Sequence, residues 1–277
     1  MKVLLTGHKG RLGRVLWARL ASDGHKVRGF DLAEGGDIRD ADAVARAAEG
    51  VDAIVHAAGL ADDRGGAPAD VMAVNLLGTY AVLLAAEAAG ARRVVYFSSG
   101  KALGMLERDP DYLPIDDDHR GLPGRPYGLA KWLSEEMCHA FTARTGIATL
   151  CLRPVAVFDD AGYRRAIEAA KQPRAPGTIW HLGVHIDLRD VADATAAALT
   201  CPSPGHIRLL LAAADIAATQ PTLELVEKYL PHVPWRGGPD YRADPWRGLV
   251  DIGRAERVLG WKPRHLWPGR KHSKGET

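Results

Sequence analysis

The residues best suited to chemistry stand in two neighbouring stretches. In "RPYGLAKW", Tyr127 and Lys131 are four apart, which stacks them on one face of a helix. A free phenol, with a pKa of about 10, is a poor base at neutral pH, and an ammonium beside it stabilises the phenolate. Upstream, "YFSSGKALG" ends a strand-like run with Ser98 and Ser99, at the carboxyl edge of a sheet, where open α/β folds bind ligands. A phenol brought into a useful range beside such hydroxyls is a candidate general base. Tyr and Lys four apart are common by chance, so this reading depends on its surroundings.

The surroundings include a phosphate cradle. "TGHKGRLG" sets Gly7, Gly10 and Gly13 three apart, behind the strand-like "KVLL" and ahead of the helical "RVLWARL". This strand, turn and helix start expose backbone N–H groups to an anion. The first glycine allows the sharp turn, the middle one the approach of a pyrophosphate, and the last the close packing of the helix. A second strand ends in Asp31, 18 residues after Gly13, where a carboxylate accepts hydrogen bonds from ribose hydroxyls. That carboxylate would repel a 2′-phosphate, so NAD is favoured over NADP. Lys9 and Arg11 in "HKGR" argue the other way, as cations within reach of an additional phosphate.

These groups need a sheet to position them. Through the first half, "KVLLT", "KVRGFD", "VDAIVHAAG", "RRVVYFSS" and "ATLCLRP" read as strands, separated by helical patterns at about 12–22, 68–89 and 127–145. Repeated βα units call for a Rossmann-type, doubly wound parallel sheet with helices on both faces. This core runs over 1–154, as the NAD-binding domain. Residues 155–277 read as a small substrate-binding lobe, partly interleaved with the core because "HIDL" and "VADATAAAL" also suit the main layers.

Composition narrows the partners. The chain has 277 residues, 47% of them hydrophobic, enough to bury a full core. Its 36 basic and 34 acidic residues leave a formal charge of +2, too small to suggest a nucleic-acid or membrane surface. Cys138, Cys151 and Cys201 have neither metal-ligand spacing nor a disulfide pattern and read as reduced thiols. The acidic loop "ERDPDYLPIDDDH" lacks ligand spacing, so no metal is expected. No apolar run is read as a membrane span and the N-terminus lacks a signal peptide's features, so a cytoplasmic location is expected.

Taken together, "TGHKGRLG", "GDIRD", "HAAG", "NLLG", "FSSGKALG", "YGLAK", "LRPVAVF" and "LGWKP" resemble the extended short-chain dehydrogenase/reductase family, also called the NAD-dependent epimerase/dehydratase family. The resemblance covers nearly the whole chain. It implies a catalytic Ser99, Tyr127 and Lys131, with Ser99 chosen over Ser98 because it stands five residues before Gly104. It implies that Asn75 supports the site through water or backbone, and that Asp37 and Ile38 contact adenine. Ala57, Ala58 and Gly59 would line the cofactor, joined by Arg11 and Leu12 of the glycine loop and by Pro154. Tyr127 and Lys131 would touch it too, Lys131 through the nicotinamide ribose. A homodimer through the helices of Tyr127 and Asn75 is also implied.

Only about 30 residues separate "LRPVAVF" from "HIDLRDVADA". That is short for the nucleotide-sugar enzymes of this family, and the compact chain is similar instead to uronate dehydrogenases. A small sugar, sugar acid or related hydroxyl or carbonyl compound is the expected substrate. Arg164, Arg165, Lys171, Arg174, His181 and His185 are candidates to meet a carboxylate. The alternatives are a nucleotide-sugar epimerase or dehydratase with tightly bound NAD and, more remotely, a non-catalytic dinucleotide sensor. If Asp31 sets the cofactor, calorimetry will show tighter binding of NAD than of NADP, and Asp31→Ala will narrow the gap; tighter binding of NADP by the unaltered protein would refute this.

Overall fold

The computed structural model describes residues 1–105, 107–170, 182–202 and 205–270. Its first half alternates strand and helix: Lys2–Thr6 (β1), Arg11–Ser22 (α1), Lys26–Phe30 (β2), Ala41–Ala48 (α2), Ala53–His56 (β3), Pro68–Met72 (α3), Gly78–Ala88 (α4), Arg93–Phe97 (β4), Pro126–Thr145 (α5) and Ala148–Pro154 (β5). There follow Ala156–Phe158 (β6), Asp160–Ala170 (α6), His185–Asp187 (β7), Leu188–Thr200 (α7), His206–Leu211 (β8), Thr222–Tyr229 (α8), Asp240–Ala243 (α9) and Gly253–Leu259 (α10).

Six strands form one parallel sheet in the order β2-β1-β3-β4-β5-β8. The order in which successive strands are added reverses between β1 and β3, and at such a switch point the two loops diverge and leave a crevice. The two sides of each central strand feed different cores, because successive side chains point to opposite faces. Val3, Leu5, Ala53, Val55, Val95, Phe97, Leu150 and Leu152 join the layer beneath α1 and α7. Leu4, Ile54, Val94, Tyr96 and Cys151 join the layer beneath α2, α4 and α5.

The chain beyond 154 divides between two sheets. "HIRLLLAA", read with the smaller lobe, supplies β8, the sixth strand of the main sheet, in register with β5 from Thr149↔His206 to Pro154↔Leu211. β7 instead pairs with β6 in a separate two-stranded sheet, and α7 returns to pack on α1. Asp190 of α7, fully buried, accepts the backbone N–H groups of Arg264 and His265 and straps the chain's end against this layer.

α3 and α4 run on through a π-helical turn, Ala73–Leu77. By length and composition, this continuous helix from Pro68 to Ala88 is long and apolar enough to cross a membrane, which corrects the reading that no apolar run approaches a span. Half of it is buried inside the protein, where it packs on α2 and α5. The three cysteines are free and buried.

Beneath the sheet edge lies an ion pair. Glu135 of α5 and Arg153 of β5 meet through two hydrogen bonds, at 2.8 and 2.6 Å, and both side chains are almost wholly buried. The Oγ of Ser98 donates a third, at 2.5 Å, to Glu135. Removing one partner strands the other charge in a low-dielectric interior, so Glu135→Ala should cost roughly 3–5 kcal/mol. Urea unfolding measures this, and a midpoint equal to that of the unaltered protein would contradict it.

Candidate active site

The glycine loop leaves the carboxyl end of β1, where backbone meets backbone. Gly7 has φ +74°, and a Cβ there would lie 2.6 Å from the backbone nitrogen of Ala58. A Cβ on Gly13 would lie 2.0 Å from the carbonyl oxygen of Gly7. Gly10 precedes α1 with no side chain capping its first turn, so those N–H groups face the loop's open side and suit the pyrophosphate of a dinucleotide. Leu12 packs into the core below the loop.

Asp31, at the end of β2, accepts the backbone N–H groups of Lys9 and Ala33 at 2.8 and 2.9 Å. Its carboxylate thus joins the glycine loop to the turn that follows β2. The two cations that argued for an extra phosphate are both paired: Lys9 with Glu34 at 2.7 Å, and Arg11 with Asp159 at 3.2 Å. Arg11 also donates to the carbonyl of Val157, which ties the loop to β6. Asp37 is held by Arg39, whose guanidinium keeps the carboxyl below its ordinary range. Ile38 is buried, and a Cβ on Gly78 would lie 2.8 Å from its Cδ1. Ala57 and Ala58 follow β3, half-buried, and Pro154 ends β5 in the interior.

Tyr127 stands in the first turn of α5, which opens on Pro126. Its backbone N–H donates to Asp63 at 2.7 Å, a cap supplied by another loop. Burial pushes its phenol up to about 12; the hydrogen bond from Ser99 opposes this, while Asp62 and Asp63 add to it. Burial pulls the Lys131 ammonium down to about 8, against the attraction of Glu135. The Lys131 ammonium donates to the carbonyl of Phe97 at 2.7 Å and lies 5.8 Å from the Tyr127 ring centre. Desolvation thus dominates the phenol, and the lowering expected from Lys131 is not among the influences on it.

The adjacent serines face opposite ways, as successive strand residues do. Ser99 caps a short 3₁₀ turn, Gly100–Leu103, by accepting the N–H of Lys101, whereas Ser98 turns inward to Glu135. The amide of Asn75 clamps Leu60 on both sides, accepting its N–H at 2.8 Å and donating to its carbonyl at 3.0 Å. Gly59 permits this with φ +156°, since a Cβ there would lie 2.7 Å from Asn75 Oδ1 and 3.8 Å from Lys131 Nζ. The carbonyl of Asn75, in the π-helical turn, takes the hydroxyls of Thr79 and Ser134.

Ser99, Tyr127, Lys131 and Asn75 thus gather at one sheet edge with the glycine loop. Of the basic residues proposed for a carboxylate, those described do not gather there as a group. Arg164 and Arg165 are exposed on α6, and Lys171, Arg174 and His181 lie outside the described residues. His185 is fully buried against Phe158 and pulled down to about 4 by desolvation, so it is neutral. Sequence reading missed Asp63 and Glu135, and it left Ser98 without the inward role that its bond to Glu135 gives it. Glu135 was accessible to it, four residues after Lys131 on the same helical face. It also missed His56, which bonds Thr6 and Thr79 at 2.7 and 3.1 Å and is held neutral by burial, at about 3. Among the described residues no group of three or more His, Cys, Asp or Glu is placed to hold a metal ion.

The model of the NAD dependent epimerase/dehydratase family matches residues 3–209. A uronate dehydrogenase of Pseudomonas syringae pv. tomato is 33% identical over 59% of this chain, an alignment that spans 62% of that enzyme's length. A UDP-glucose 4-epimerase of Corynebacterium glutamicum is 25% identical over 96% of this chain and 92% of its own. Among solved structures, a short-chain dehydrogenase/reductase superfamily protein from Agrobacterium tumefaciens with bound NAD superposes with a TM-score of 0.71 at 27% identity, covering 96% of this chain and 94% of that one. With a cofactor loop formed at the switch point and the family model matched from the first strand into the sixth strand of the main sheet, this chain belongs to the NAD dependent epimerase/dehydratase family.

Proposed function

We propose that the protein is an NAD-dependent dehydrogenase that oxidises a hydroxyl of a small sugar, sugar acid or related compound and releases NADH. The observation that carries this reading is the meeting of Ser99, Tyr127 and Lys131 at the carboxyl edge of β4, beside the glycine loop. Tyr127 takes the proton of the substrate hydroxyl while Ser99 hydrogen-bonds the same oxygen. Bound NAD supplies the hydride acceptor at its nicotinamide, whose positive charge also favours the phenolate. Lys131 binds the nicotinamide ribose and keeps a cation beside Tyr127. Asn75 holds the loop at Gly59 and Leu60 against these groups. Asp31, with Glu34 one turn away, sets negative charge where a 2′-phosphate would stand, and this supports NAD over NADP.

A small pocket is in keeping with the short interval between β6 and β7, of which the described part is one helix of 11 residues, α6. The uronate dehydrogenase relative supports the same reading. A second reading, an epimerase that returns its hydride to the substrate, is favoured by the UDP-glucose 4-epimerase that aligns along nearly the whole chain. Free buried cysteines suit a cytoplasmic enzyme. Leu77, Tyr80 and Leu84, exposed along the Asn75 helix, suit a homodimer paired through that helix and α5.

Incubation with NAD and a panel of free sugars, sugar acids and nucleotide sugars separates the readings. NADH absorbance should grow with a free sugar or sugar acid; its absence, with isomerisation of a nucleotide sugar, would give the place to the epimerase. Tyr127→Phe should lower turnover by about 10²–10⁴-fold and leave NAD affinity nearly unchanged, whereas Lys131→Met should damage both. Retention of most of the rate by Tyr127→Phe would remove Tyr127 from the chemistry.

A further inference from the structure

One cation at the site has no assigned work. Lys101 stands in the 3₁₀ turn immediately after Ser99, and its backbone is held on two sides. Its N–H donates to Ser99 Oγ at 3.2 Å. Its carbonyl lies where a Cβ on Gly128 would come within 2.8 Å, so this glycine lets α5 close onto the turn. The side chain is half-buried and runs along Tyr127, with its ammonium 5.3 Å from the ring centre.

Among the described residues no hydrogen bond or ion pair reaches that ammonium. The nearby acids are engaged elsewhere. Asp62 feels the charge of Lys101, but its oxygens hold the guanidinium and backbone of Arg64 at 2.5–3.0 Å. Asp63 caps Tyr127. The other basic groups around the site are paired: Lys9 with Glu34, Arg11 with Asp159, and Lys131 with the carbonyl of Phe97. A partly desolvated ammonium with only an aromatic ring beside it gains from an anion that supplies the missing charge.

We propose that Lys101 is the anion-binding group of the substrate site, and that the substrate carries a carboxylate which this ammonium selects. The inference rests on the dehydrogenase reading and moves the expected carboxylate contact from 164–185 to the turn that carries Ser99. Ser99 and Lys101 then act from a single rigid turn: one hydrogen-bonds the reacting oxygen and the other fixes the far end of the molecule.

The test compares D-glucuronate and D-galacturonate with the neutral sugars D-glucose and D-galactose, using the full chain with NAD. In Lys101→Met, the acid-to-neutral ratio of kcat/KM should fall by about 10–100-fold, the size of a lost charge-assisted hydrogen bond, with the loss in KM. Lys101→Arg should restore part of it. An equal loss for acid and neutral sugars, with a displaced pH profile, would place Lys101 on Tyr127 and overturn the proposal, as would an unchanged ratio. Calorimetric binding of D-gluconate to the NADH complex separates the two readings. If no sugar or acid yields NADH but gluconate binds and Lys101→Met abolishes that binding, the dehydrogenase reading fails and the anion site stands. If gluconate binds both proteins equally or neither, the anion site fails.

Discussion

The site depends on sinking a lysine beneath the sheet edge. Tyr127, Lys131 and Glu135 occupy one face of α5, and that face is buried. An ammonium in such a place loses its hydration, which is why Lys131 drops to about 8. Its charge is tolerated because Phe97 offers a carbonyl and Glu135 lies one turn on. Glu135 needs its own partner, which Arg153 supplies from β5. Asp117 extends the chain of charges: it accepts the N–H of Leu210, the register partner of Arg153, and burial raises it to about 7. Helix α5 is thereby locked to the two strands at its back.

The second constraint is close approach of backbones at the switch point. Gly7 against Ala58, Gly13 against Gly7 and Gly59 against Asn75 are places where one added carbon would collide. They bring the ends of β1 and β3 and the loop at Leu60 within reach of one ligand. The hydroxyl of Thr6 fastens the same region, bonded to His56 and accepting the N–H of Ala58 at 3.2 Å. Because His56 is neutral and bonded at both nitrogens, it serves as a brace between β3 and α4 and adds no charge to the crevice.

Charge around Tyr127 is divided by role. Asp63 spends its carboxylate on the helix start and Asp62 on Arg64, so both fix loops while disfavouring the phenolate. Ser99 works in the opposite sense. In the proposed reading, a phenol that stays protonated in the protein alone becomes a base when positive charge enters the crevice, which would couple proton abstraction to cofactor binding.

The sequence by itself determined the alternation of strand and helix, the glycine loop, Asp31, and the helical face shared by Tyr127 and Lys131. All of these are local: a period of two or four, or a glycine where a turn needs one, is written in neighbouring residues. Boundaries followed closely, with α5 at Pro126–Thr145 and β5 at Ala148–Pro154. Tertiary structure alone decided that "HIRLLLAA" joins the main sheet, since a buried strand reads the same whichever sheet receives it. It also decided which charges meet. Asp63 and Tyr127 are 64 residues apart, Glu135 and Arg153 are 18 apart, and Arg11 and Asp159 are 148 apart. No spacing in the chain encodes such pairs, because they depend on how loops from separate strands converge at one edge. The sign of the Tyr127 shift was hidden for the same reason. A lysine one helical turn away is legible in sequence, but burial, which sets the shift, is a property of everything packed around the ring.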